Sequence, residues 1–253
     1  MFNVQIDYPN YEVKTPQTLA EYTLRCMTVG DELELKSSII DPSKSVKILD
    51  KIIYNCITNK SEQIKDFDSW LNLTTIDDRK ALLYGLYHAT YGDDYPVTHV
   101  CSTCGTQNSS VCKISKGFKI DYYTKKPFEI INEEHTFELP ISKVKVMSKI
   151  PTLKREMDVV GSGLVIDEEL EIYMMYIDTL IRGEDKFVIK NNLVDAVSFI
   201  KLLPGGDRKF LEDYIVKNLV KYTVDTSYKV TCKKCNNSYT ITLNLVEQFF
   251  RAL

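Results

Sequence analysis

Cys101-Ser102-Thr103-Cys104-Gly105 and Cys232-Lys233-Lys234-Cys235-Asn236 are the two stretches that decide how this chain folds. Each is a C-x-x-C pair, and two thiolates separated by one tight turn can both reach a single metal at ~2.3 Å. A left-handed backbone eases such a turn at the residue after the second cysteine. That residue is Gly105 in one pair and Asn236 in the other, the types that accept positive φ most readily. Strand-like sequence precedes both pairs, Val97-Thr98-His99-Val100 and Tyr228-Lys229-Val230-Thr231. Matched pairs in matched contexts predict a zinc-ribbon-like site with Cys101, Cys104, Cys232 and Cys235 as ligands. Four thiolates close the coordination shell, so the expected Zn2+ is structural.

Residues 105–231 separate the pairs, whereas a compact ribbon needs only ~15–20. The expected fold is therefore α+β, with a zinc-ribbon-like strand region split by an inserted helical module. The divisions are an N-terminal α+β module (1–96), a split ribbon and β region (97–141 and 226–253) and the insertion (142–225). The ends of an insertion lie close together, so loss of the metal is expected to free them and destabilise the chain from Val97 onward. Two alternatives are metal-free surface pairs and a redox C-x-x-C. A redox pair belongs at a helix N-terminus that depresses the thiol pKa, and neither pair precedes a helical pattern. Cys112 is a competing ligand, Cys26 and Cys56 fall on apolar stripes as core thiols, and His99 is read as solvated or supporting rather than ligating.

Working outward, Val4/Ile6 and Tyr11/Val13 alternate about Pro9-Asn10, a hairpin-like signal, and Leu19 to Met27 reads as extended. Asp41-Pro42-Ser43 opens a helix with Val46, Leu49, Ile52, Ile53 and Cys56 on one stripe. A second helix starts at Thr75, with Asp78 in its first turn, and stops at Gly92. Its apolar stripe and the lone Trp70 predict that the two helices pack together. In the insertion, Leu170, Tyr173, Met174, Ile177, Leu180 and Ile181 form an amphipathic stripe, with Asp167 as N-cap and Gly183 just past the end. Further helices are expected over Leu193–Leu203, capped by Asn192, and over Asp207–Tyr222, before strands return at Tyr228/Val230 and Tyr239/Ile241/Leu243.

The 253 residues are 44% apolar and 26% charged, which excludes disordered, collagenous and coiled-coil classes. A net charge of −3 and a pI of 5.7 provide no basic domain to hold a polyanion, so no nucleic-acid partner is expected. Neither a signal peptide nor an apolar run of about 18 residues is seen, so no membrane insertion is expected. In a reducing cytoplasm the seven cysteines point to metal rather than to disulfides.

Signals for catalysis are missing: there is no phosphate-loop, dinucleotide, nucleophile-elbow or H-E-x-x-H motif. Turns explain Gly161-Ser162-Gly163 and Gly205-Gly206, and a helix's first turn explains Asp167-Glu168-Glu169. His88 and His135 have no evident nucleophile or metal partner. No catalytic or cofactor-binding residue is assigned.

The chain also resembles the baseplate hub subunit and hub-assembly proteins of T-even-type contractile-tailed bacteriophages. The similarity is spread over Tyr11-Glu12-Val13-Lys14-Thr15-Pro16, Glu21-Tyr22-Thr23-Leu24-Arg25, Met27 to Glu32, Ile48 to Ile57, Asp66-Phe67-Asp68, the Cys232 pair and Phe249-Phe250. It implies a non-enzymatic virion or assembly protein whose partners are other baseplate, hub and tail-tube proteins. It places the chain in the virion tail baseplate, assembled in the host cytoplasm. The competing function is a zinc-ribbon nucleic-acid- or transcription-associated protein, supported only by Lys233-Lys234 and by Lys113, Lys116 and Lys119.

Overall fold

A computed structural model describes residues 7–37, 42–164 and 167–244. The chain begins with strands β1 (Asn10–Lys14) and β2 (Glu21–Arg25), then helices α1 (Val29–Ser37), α2 (Pro42–Cys56), α3 (Phe67–Leu73) and α4 (Ile76–Tyr91). Strands β3 (Asp94–Val100) and β4 (Gln107–Lys113), a short helix α5 (Ile114–Gly117) and strand β5 (Lys119–Ile120) follow. The next part carries β6 (His135–Glu138), β7 (Lys145–Ser148), α6 (Leu153–Val160), α7 (Glu168–Tyr176), β8 (Ile177–Arg182), β9 (Asp185–Val188), α8 (Leu193–Lys201) and α9 (Gly205–Tyr214). Strands β10 (Val224–Asp225), β11 (Ser227–Thr231) and β12 (Ser238–Thr242) are the last elements among the described residues. All pairings are antiparallel: β1 with β2, β3 with β4, β5 with β10, β11 with β12, and the four-stranded sheet β6-β7-β8-β9. The fold is α+β, as expected.

Helix α4 organises the first core. The Thr75 hydroxyl accepts the Asp78 N–H at its N-terminus, and Gly92 ends it at φ +83°. Leu82, Leu83 and Leu86 are buried against Leu49, Ile52, Ile53 and Cys56 of α2, with Trp70 fully enclosed. Gly85 lets the helix touch the β1–β2 hairpin, since a Cβ there would fall 2.0 Å from Val13 Cγ2. The β1–β2 hairpin turns at residues 15–20, and the alternation expected about Pro9-Asn10 rests on Val4 and Ile6, outside the described residues. The Asp78 carboxylate fixes that turn by accepting the Gln17 N–H at 2.8 Å and the Thr18 hydroxyl at 2.6 Å. Burial raises the Asp78 pKa above the ordinary carboxylate range despite these bonds. Val4, Ile6, Asp41, Phe249 and Phe250 lie outside the described residues.

A second core joins Leu139 to Val146, Tyr173, Leu180, Ile200 and Leu211 of the segment 142–225, the expected insertion. This segment was expected to be helical. It carries helices α6 to α9, but also the four-stranded sheet, which starts at His135, before residue 142. The stripe that opens at Leu170 is helical only to Tyr176, and the chain then runs on as β8. Ile177, Thr179 and Ile181 are β-branched and favour the strand, and the apolar run alone fits either period. Gly183, expected to follow a helix, takes φ +62° in the two-residue loop between β8 and β9.

The segment between the two cysteine pairs is anchored apart from them. At its neck β5 pairs with β10, the Asp121 N–H donates to Thr223 O at 3.2 Å, and the Gln17 amide donates to Lys221 O at 2.8 Å. Higher up, the Leu153 N–H donates to Thr74 O at 2.8 Å, and Arg79 of α4 grips Glu156 of α6 in two bonds of 2.6 and 2.8 Å.

Candidate metal centre

The two cysteine turns have the same backbone. In each, the residue after the second cysteine donates its N–H to the carbonyl of the first: Gly105 to Cys101 O and Asn236 to Cys232 O, both at 2.9 Å. Each first cysteine also donates to the carbonyl five residues on, Cys101 to Thr106 O at 3.0 Å and Cys232 to Asn237 O at 2.9 Å. Gly105 and Asn236 take φ +66° and +58°, the left-handed conformation expected of them. Hairpins β3–β4 and β11–β12 hold these turns tip to tip.

The four sulfurs meet. Cys101 Sγ lies 3.7 Å from Cys235 Sγ, Cys104 Sγ lies 3.6 Å from Cys232 Sγ, and all four fall within 4.8 Å of one another. A tetrahedral zinc with Zn–S bonds of ~2.3 Å requires S···S separations of about 3.8 Å. A disulfide requires ~2.05 Å. The donor set thus fits a thiolate-bound metal such as zinc, and pairs each ligand with one from the other end of the chain. Cys101 and Cys232 are buried and Cys235 is exposed.

Local hydrogen bonds set unequal acidities. The backbone N–H of Cys235, helped by that of Lys234 and the Asn108 amide, brings the Cys232 thiol down to about 6. The Thr106 hydroxyl lowers Cys104. Cys235, although the Asn237 N–H acts to lower it, is pushed up to about 12 by desolvation and the other sulfurs. Crowded thiols cannot all ionise alone, and a divalent cation would remove that constraint.

The other cysteines stay apart. Cys56 and Cys112 are core thiols whose pKa burial raises to about 12 and about 11. His99 is buried beside the centre without joining it: Nδ1 lies 2.5 Å from Tyr239 Oη and Nε2 lies 2.9 Å from Ser110 Oγ. His88 lies against the Tyr11 ring and His135 lies 4.0 Å from Glu133. Asp167 caps α7 by accepting the N–H groups of Glu169 and Leu170, and Glu169 pairs with Arg208 at 2.8 Å. In the sequence Asn108 has no assigned role and Tyr239 only a place in a strand. Each stands seven residues after the first cysteine of its pair, and that shared offset is the signal that marks them.

Among the described residues, no helix is long and apolar enough to cross a membrane. A family model described as T4 bacteriophage base plate protein matches residues 8–251. No curated protein and no solved structure matches the chain.

Proposed function

Because the chain belongs to the T4 bacteriophage base plate protein family, we propose that it is a structural subunit or assembly factor of the hub region of a contractile-tail baseplate, held in shape by one zinc ion. The family match over nearly the whole chain carries the baseplate reading, and the four-sulfur cluster supports the zinc. Cys101, Cys104, Cys232 and Cys235 would hold the metal. Bound there, zinc supplies structural closure, because four thiolates leave no open position for a reacting ligand. The role is non-enzymatic: the chain docks other baseplate, hub and tail-tube proteins in the virion, after assembly in the host cytoplasm.

Mass spectrometry of purified particles and of tail-assembly intermediates tests this reading. The chain should co-purify with hub or tube proteins in one fraction or both. Absence from both, together with DNA binding that weakens steeply with salt, would favour a nucleic-acid role instead.

A further inference from the structure

We infer that Asn108 is a positioning residue of the metal centre, holding Cys232 in place from the opposite half of the ribbon; this rests on the zinc reading above. Asn108 lies on β4, in the half that carries Cys101 and Cys104, and is 5% exposed. Among the described residues its side-chain hydrogen bonds all go to the two cysteine turns. Its Oδ1 accepts the Lys233 N–H at 2.9 Å, inside the far turn. Its Nδ2 donates to Thr106 O at 2.8 Å, in its own turn, and faces Cys232 Sγ at 3.5 Å. A backbone donor on one side and a backbone acceptor on the other allow one orientation of the amide, so the N–H must point at the sulfur.

Cys232 is the buried ligand of the far pair. An N–H directed at a thiolate lowers the cost of its charge and fixes the sulfur lone pair used for the metal. Tyr239, at the matching position of the other half, reaches back with its hydroxyl to His99. The Asn237 side-chain amide donates across to the Thr103 hydroxyl, at 2.8 Å. The two halves are therefore braced in both directions, and among the described residues the Asn108 side chain is the cross-ribbon brace that hydrogen-bonds a cysteine sulfur.

The test measures zinc affinity of the full-length reduced protein by competition with a chromophoric chelator, together with thiolate-to-metal charge-transfer bands after Co2+ loading. Removing an outer-sphere partner weakens metal binding about 10–100-fold. Asn108→Ala and Asn108→Asp should both lose affinity in that range and shift the bands. Asn108→Asp keeps the size and the acceptor for Lys233, so it reports on the N–H···S contact even where the alanine variant fails to fold. Tyr239→Phe should stay within about threefold of wild type, with unshifted bands. Wild-type affinity in the Asn108 variants, or an equal loss in Tyr239→Phe, overturns the assignment. Wild-type protein that binds neither ion overturns the zinc reading and the Asn108 role with it.

Discussion

Arg79 stands between two carboxylates, 3.2 Å from Asp50 and 2.6 Å from Glu156. Glu156 takes two of its N–H groups and Asp50 only one. Burial raises the Asp50 pKa to about 7, with Glu156 adding to the rise and Arg79 opposing it. The ordinary aspartate value is about 3.9, so between these limits the folded chain holds a proton that the unfolded chain has released. The Asp50 contribution is therefore complete below about pH 4 and is lost as pH rises through about 7. Asp50→Asn mimics the neutral carboxyl. Its stability relative to wild type should improve between pH 5 and pH 8 by on the order of 2 kcal/mol, read by urea unfolding at both pH values. A constant offset would mean that Asp50 is ionised throughout.

At the level of elements, the contact between α4 and the β1–β2 hairpin depends on a missing side chain. Gly85→Ala would improve helix propensity by up to ~1 kcal/mol, yet its methyl would fall on Val13 and within 3.1 Å of Leu24 Cδ1. Overpacking of this kind costs about 1–3 kcal/mol, so the expected net effect is a lower unfolding midpoint, and a higher one would contradict this packing. The caps of α4 were legible in sequence because Thr75, Asp78 and Gly92 act within one turn. The other role of Asp78 was not, since Gln17 and Thr18 lie about 60 residues away and only tertiary packing brings them together. Strand β8 was misread for a related reason. Leu180 and Ile181 extend a helical stripe as well as they fit a strand, and pairing with β7 and β9 decides between the two.

For the whole molecule, the sequence located all four sulfurs, because spacing and turn chemistry are local. It did not reveal the second closure at the neck of the insertion, where β5 meets β10 and Gln17 reaches Lys221. With that closure present, a metal held by the four sulfurs would not be the only link between the ends. Chelation should therefore reduce amide protection in β3, β4, β11 and β12, while the core around Val146, Leu180 and Ile200 keeps its protection. Hydrogen exchange on metal-free protein checks this, and loss of protection throughout the insertion would restore zinc as the sole clasp. The four sulfurs would share one metal between the two halves of the ribbon. Elemental analysis of freshly purified, reduced protein tests it most directly, in wild type, Cys104→Ser, Cys232→Ser and the double variant. One zinc per wild-type chain is expected, with similar loss in each single variant and little further loss in the double. No zinc in the wild type, or additive losses from two independent half-sites, would contradict it.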